Sequence, residues 1–117
     1  WHSTPHLDWI ISREQIIDQT KPLVDARAAD RFAGQNETLH PIPGHIEGAI
    51  NAPFTEHFID SMVTEQGPTW PANAVHQCGS GVTACVNLWV DALRGRKELP
   101  LYVGSYSDWC AYLATIR

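Results

Sequence analysis

The stretch Cys78-Gly79-Ser80-Gly81-Val82-Thr83-Ala84-Cys85 decides how the rest of this chain is read. Before it, Ala74-Val75-His76-Gln77 is short and partly β-favouring; after it, Ala84 to Arg94 reads as a helix. A cysteine at a strand end, a glycine-rich turn and a helix start make an anion site from backbone alone. The turn amides point inward, and the helix N-terminus adds partial positive charge. Thiolate is the reactive form of cysteine, and such a setting favours it. Cys78 therefore reads as a nucleophile, set against the plainer reading of a buried structural cysteine. Cys85 and Cys110, on helices with apolar neighbours, read as core fillers.

A chain of 117 residues fits one domain with a real hydrophobic core. Apolar content of 44% and charged content of 18% are globular values and argue against disorder. The net charge of −5 and the lack of a Lys/Arg cluster make nucleic acid or an anionic membrane a poor partner. No apolar run approaches the roughly 20 residues of a spanning helix, and no signal-peptide pattern is visible. Three cysteines without a CxxC pair argue against a disulfide framework or structural zinc. This usage suits a reducing compartment, so the expected location is cytoplasmic, and no cofactor is called for. Met62 is the only methionine, so the expectation is a processed product or a domain of something longer.

Residues 1–11, with Pro5 and two histidines, read as a linker or N-terminal arm, and residues 12–117 as one catalytic domain. Ser12-Arg13-Glu14-Gln15 has the form of a capping box that opens a short helix. Pro22-Leu23-Val24-Asp25 follows as a buried strand with a carboxylate at its C-terminal end. Ala28 to Ala33 is a second short helix stopped by Gly34, and residues 34–44 form a loop. Gly44-His45-Ile46-Glu47-Gly48 turns into the strand Ala49-Ile50-Asn51. Thr55 to Val63 carries Phe58, Ile59, Met62 and Val63 at helical spacing, which predicts another helix. Gly95 ends the helix begun at Ala84, and Leu99 to Val103 is a last strand. Ser105 with Asp108 predicts the cap of a terminal helix bearing Trp109, Tyr112, Leu113 and Ile116. Strands alternating with helices predict an α/β fold with a parallel sheet, whose ligand lies beyond the C-terminal strand ends. Asp25-Ala26-Arg27, Cys78 and Gly104 all fall on that edge.

Five blocks in order now resemble one family: Leu23 to Arg27, Arg31-Phe32, Gly44 to Asn51, Cys78 to Ala84, and Gly104-Ser105-Tyr106-Ser107-Asp108-Trp109. They resemble the rhodanese sulfurtransferases from about Ser12 to Trp109. The resemblance implies a three-layer α/β/α fold around a central, mainly parallel sheet of about five strands. The loop Cys-Gly-Ser-Gly-Val-Thr looks like that of the mercaptopyruvate-using members, whereas thiosulfate-specific members typically carry Cys-Arg-Lys-Gly-Val-Thr. In the family these motifs belong to the C-terminal half of a tandem-domain enzyme, which implies an N-terminal rhodanese domain in the full-length chain. Several positions depart from the pattern. Val103 stands where an aspartate is common, and Tyr106 replaces the first tryptophan of its motif. His40 lies about where mercaptopyruvate enzymes often carry a second arginine. Only Thr64 to Asn73 is available where the family has an additional helix, so either the domain is trimmed there or a segment is missing.

The resemblance implies that Cys78 takes the terminal sulfur of a donor as a persulfide, then passes it to a second thiol or to cyanide. Thioredoxin-like thiols are the implied protein acceptors. Arg31 is the substrate-carboxylate residue by this match, against the reading of a surface arginine on a short helix. Ser80 either bonds the donor or relays a proton to the leaving enolate, against the reading of a small turn residue giving only its amide. Gly79 and Gly81 serve loop geometry; with Val82 they complete the donor-binding loop. Thr83 is expected to cap the following helix and orient that loop. Arg27 reads as a structural ion-pair partner of Asp25. His45 reads as a satisfied hydrogen-bonder in a glycine turn, and Trp109 as core or pocket wall. His76-x-Cys78 is too thin for a metal site.

Three function classes compete. The first is a sulfurtransferase using mercaptopyruvate, with thiosulfate as the alternative donor that lacks two facing cations at positions 79 and 80. The second is a phosphatase, which needs an arginine six residues after the cysteine and a longer loop; Ala84 stands there. The third is a non-catalytic binding module, although dead rhodanese domains usually lose the cysteine that this chain keeps.

Overall fold

The computed structural model describes residues 9–18, 21–36, 40–59, 62–64, 66–79 and 83–116. In chain order its elements are α1 (Arg13–Ile17), β1 (Leu23–Asp25), α2 (Ala29–Phe32), β2 (Ile50–Asn51) and a 3-10 turn (Phe54–His57). There follow β3 (Phe58–Ile59), β4 (Met62–Val63), β5 (Val75–Gln77), α3 (Ala84–Leu93) and α4 (Ser105–Thr115). The capping box is present: the Gln15 amide bonds to the Ser12 hydroxyl, and the Gln15 side chain reaches back to the Ser12 N–H.

Leu23, Val24 and Asp25 are buried on both faces, as a central parallel strand requires. β1 pairs in parallel with β2 on one side and β5 on the other, Val24 lying opposite Ile50 and His76. Beyond β5 the sheet continues through single parallel bridges, His76 to Leu101 and Leu101 to Ile10. The family's sheet is thus reduced to three strands and two one-residue seams. Pro100 is the physical reason on one side, because it has no N–H for a ladder.

Side chains alternate across the sheet. Leu23 and Val75 join Ile11, Ile16, Ile46, Tyr102, Tyr106 and Cys110 in the main cluster, which carries α1 and α4, with Trp109 packed against it. Val24 and His76 face the other way, where Asp91 of α3 meets the His76 ring at 2.7 Å. Helices therefore cover both faces of a parallel sheet, the α/β/α arrangement expected.

The predicted Thr55–Val63 helix is replaced by the 3-10 turn and an antiparallel hairpin. Phe58 pairs with Val63 and Ile59 with Met62. His57 decides the outcome: the Nδ1–H of its buried ring donates to the Gln66 carbonyl (2.9 Å) and its own carbonyl takes the Thr64 N–H, so the chain folds back on itself. The expected Ser105 cap is also absent; Gly104 holds the cap position without a side-chain bond. Cys110 is buried as expected, but Cys85 is exposed on α3 and fills no core.

On the α3 face a buried polar cluster stands where apolar packing would be usual. Asp91 accepts from the Trp70 indole (2.8 Å), His76 Nε2 (2.7 Å) and Arg96 (2.9 Å). Burial raises the Asp91 carboxyl, but these three bonds together hold it below its ordinary 3.8. Burial is also the main cause of the lowered His76 pKa, outweighing its bond to Asp91. Protonation would place a hydrogen on Nδ1, which has no hydrogen-bond partner among the described residues. The unfolded chain therefore binds this proton more readily than the folded one, so stability falls as pH drops below His76's ordinary 6.5. Thermal unfolding from about pH 8 to about pH 5 should show a falling midpoint, and His76→Gln should flatten that slope. An unchanged midpoint would refute the buried neutral histidine.

Candidate functional site

The C-terminal ends of β1 and β5 lie side by side, so the residues that follow them, Ala26-Arg27 and Cys78-Gly79, share one edge of the sheet. Arg27 turns back onto Asp25. Its Nε lies 3.1 and 3.0 Å from the two carboxylate oxygens, Nη2 lies 2.8 Å from Oδ2, and its backbone N–H donates to Oδ1 at 2.9 Å. Both side chains are essentially without solvent contact. Arg27 Nη2 also donates to the Gly44 carbonyl at 2.6 Å, and the guanidinium lies 4.1 Å from the Tyr106 ring centroid. The expected structural ion pair is present, and it fixes three elements at once.

Cys78 is 1% exposed and packs among Ala26 and Ala84, with Phe54 and Leu101 against them. Its backbone is held by the start of α4. The Tyr106 N–H donates to the Cys78 carbonyl and the Ser107 N–H to the Gly79 carbonyl, each at 2.9 Å. The Cys78 N–H donates to the Ser105 hydroxyl at 3.1 Å, and that hydroxyl donates to the Tyr102 carbonyl at 2.9 Å. Ser105 reaches this position with φ of 54°, a left-handed conformation uncommon outside glycine. Its hydroxyl, expected to cap a helix, instead orders the peptide of Cys78. Ser105 thus stands at the site in a role other than the expected cap; its adjacency to Gly104 at the sheet edge was the available signal.

A cavity of about 400 Å³ opens over this edge, lined by Arg27, Ala28, Arg31, His40, Phe54, Gly79, Thr83 and Ser107. The predicted Arg31, Gly79 and Thr83 are therefore brought together. Cys78 lies just beneath the wall that its neighbour Gly79 forms. Ser80, Gly81 and Val82 lie outside the described residues. Thr83 occupies the cap position of α3, yet its side chain makes no capping bond, contrary to expectation. Arg31 stands on α2, where its N–H donates to Asp30 Oδ1 at 2.8 Å. Asn36 and that same N–H hold the Asp30 carboxyl below its ordinary 3.8. Arg31 Nη2 meets His40 Nδ1 at 3.0 Å, and His40 Nε2 meets the Ser107 hydroxyl at 2.9 Å. Among the described residues the cavity wall thus carries the Arg31 guanidinium and the His40 imidazole, with the buried Arg27–Asp25 pair behind it, and no carboxylate lines it.

His45, by contrast, faces away from the cavity's lining residues: it bonds the Phe32 carbonyl at 2.7 Å and stacks on the Phe32 ring at 3.7 Å. Among the described residues no group of three or more His, Cys, Asp or Glu side chains could hold a metal. No described helix is long and apolar enough to cross a membrane.

The pattern of the rhodanese-like domain matches residues 12–112. The chain belongs to the rhodanese-like domain family. It is 42% identical to the 3-mercaptopyruvate sulfurtransferase of Rattus norvegicus over 101 residues, covering 74% of this chain and 34% of that protein. The 3-mercaptopyruvate sulfurtransferase of Escherichia coli K12 is 33% identical over 106 residues, covering 80% of this chain and 38% of its own length. Among solved structures, the 3-mercaptopyruvate sulfurtransferase of Leishmania major superposes with a TM-score of 0.71 at 29% identity, over 90% of this chain and 33% of that one. This rhodanese-like chain therefore spans about a third of the length of the curated relatives it matches.

Within this rhodanese-like domain, Ser105→Ala removes the acceptor of a buried N–H and leaves a strained backbone. It should cost about 1–3 kcal/mol in denaturant unfolding. Ser105→Gly loses the same bond but relieves the φ, so it should cost less than the alanine variant. The reverse order would mean that the backbone conformation carries no strain.

Proposed function

We propose that this chain is the catalytic domain of a sulfurtransferase that carries a sulfane sulfur from 3-mercaptopyruvate, through a Cys78 persulfide, to a thiol or cyanide acceptor. The observation that carries the reading is the juxtaposition of Cys78 with a cavity lined by Arg31 and His40 and, among the described residues, by no carboxylate. The curated relatives of matching sequence are named for that donor.

In the first step Cys78 Sγ, as thiolate, forms a bond to the donor thiol sulfur. The carbon–sulfur bond breaks, its electron pair goes to carbon as the enolate of pyruvate, and a proton completes pyruvate. Arg31 binds the donor carboxylate through its planar fork of N–H groups. Ser80 bonds the donor or relays the proton to the enolate, while the amides of Gly79, Gly81, Val82 and Thr83 take the charge on the persulfide sulfur. In the second step an acceptor thiolate attacks the outer sulfur, the sulfur–sulfur bond breaks, and Cys78 leaves as thiolate. A thioredoxin-like protein in a reducing, cytoplasmic setting supplies that acceptor chemistry. An N-terminal rhodanese domain in the full-length protein completes the assembly. Thiosulfate is the second donor in this reading, disfavoured because Gly79 brings no cation to face a dianion.

Incubating the intact protein with mercaptopyruvate should add about 32 Da, located on the Cys78 peptide. Cys78→Ser should abolish the adduct, and Cys85→Ser, whose side chain lies out on α3, should retain it. An adduct on Cys85, or none in folded wild type, would sink the covalent mechanism. Catalytic efficiency should favour mercaptopyruvate over thiosulfate by at least about tenfold, since the site binds a carboxylate through a bidentate cation.

A further inference from the structure

We propose that His40 is a positioning residue for donor selection, holding the Arg31 guanidinium over the cysteine loop as a neutral hydrogen-bond acceptor, and that it can do so only while position 79 lacks a side chain. This rests on the sulfurtransferase reading above and concerns the same site.

A guanidinium only donates hydrogen bonds. With Arg31 Nη2 at 3.0 Å, His40 Nδ1 must therefore be the acceptor and carry no proton. The ring proton is then on Nε2, which donates to the Ser107 hydroxyl at 2.9 Å. The ring is thus a wedge between α2 and α4, tied at both nitrogens and set edge-on to Tyr106 at 5.4 Å between centroids. Such a histidine does not act as a second cation toward the donor. It orients the Arg31 guanidinium, which does.

Gly79 makes this arrangement possible. A Cβ built there would lie 3.0 Å from His40 Cε1 and 3.6 Å from Arg31 Nη2. The first distance is tight enough that the His40 ring would have to give by a few tenths of an ångström, and that ring is held at both nitrogens. A side chain at position 79 therefore crowds His40 and disturbs the acceptor that aims Arg31. The site therefore selects a planar monocarboxylate that a fixed guanidinium can grip, and excludes the cation at position 79 that a dianionic donor would use.

Steady-state kinetics of the intact protein with mercaptopyruvate and with thiosulfate, and the inhibition constant of pyruvate, test this. His40→Ala should raise the KM for mercaptopyruvate and the Ki for pyruvate about tenfold, with kcat within about threefold, because binding rather than chemistry is affected. His40→Asn, which keeps a short acceptor for Arg31, should recover most of that loss, and Ser107→Ala should give a smaller rise of about threefold. The KM for thiosulfate should not rise. Gly79→Arg should match His40→Ala for mercaptopyruvate, and the double variant should be no worse than either single one, since both act through Arg31. Unchanged KM and Ki in His40→Ala, or fully additive effects in the double variant, would overturn the proposal while leaving the sulfurtransferase reading intact. Wild-type protein inert toward mercaptopyruvate would overturn that reading itself, before any variant is compared.

Discussion

The buried ion pair of Asp25 and Arg27 is the constraint on which this fold's working edge depends. Taking both charges out of water is costly, and their attraction repays that cost only when every remaining donor and acceptor is used. Here the guanidinium grips the carboxylate at three close distances, reaches the Gly44 carbonyl and lies against the Tyr106 ring. Asn51 adds to the same corner by donating to the carbonyls of Asp25 and Arg27. Removing one partner from such a pair would strand the other, at a cost of about 3–5 kcal/mol. Apolar residues of similar size would stabilise as well or better, so stability alone does not account for the pair. What it supplies is direction: it fixes the exit of β1, the turn at residue 44 and the first turn of α4 relative to one another. Through Tyr106 and its N–H, that alignment reaches the carbonyl of Cys78.

How far the sequence reveals this arrangement depends on whether a residue's role is local. The Ser12 capping box, the buried β1 and the helix after the cysteine loop follow from spacing and composition, and the structure contains all three. The segment from Thr55 to Val63 has a helical pattern yet forms a hairpin because its apolar residues, two adjacent pairs four positions apart, satisfy both equally. Tertiary contacts decide between them, chiefly the His57 ring against the Gln66 carbonyl. Leu99 to Val103 has strand composition, yet only Leu101 makes ladder contacts, since Pro100 removes a donor. Cys85 looks apolar in its context but lies on the outer side of α3, a position that the helix phase alone did not specify.

The site divides along the same line. Cys78, Arg31 and Gly79 are legible because each is carried by a short motif with its own chemistry. Ser105 and His40 are not, since their partners lie far away in sequence: Ser105 bonds the amide 27 residues before it, and His40 bonds a hydroxyl 67 residues after it. A motif near Ser105 pointed to a helix cap because Ser-x-x-Asp is usually one. The left-handed backbone at that residue diverts the hydroxyl to another task.

The seam at the far edge of the sheet has a mechanical meaning. Leu101 takes the Ile11 N–H at 2.9 Å and gives its own to the Trp9 carbonyl at 2.7 Å, so the earliest described residues are stitched to one of the last. Four residues beyond that stitch stands Ser105, whose hydroxyl holds the peptide of Cys78. Two main-chain bonds therefore tie the segment at Trp9 and Ile11 to a residue four positions before the one that orders the Cys78 peptide.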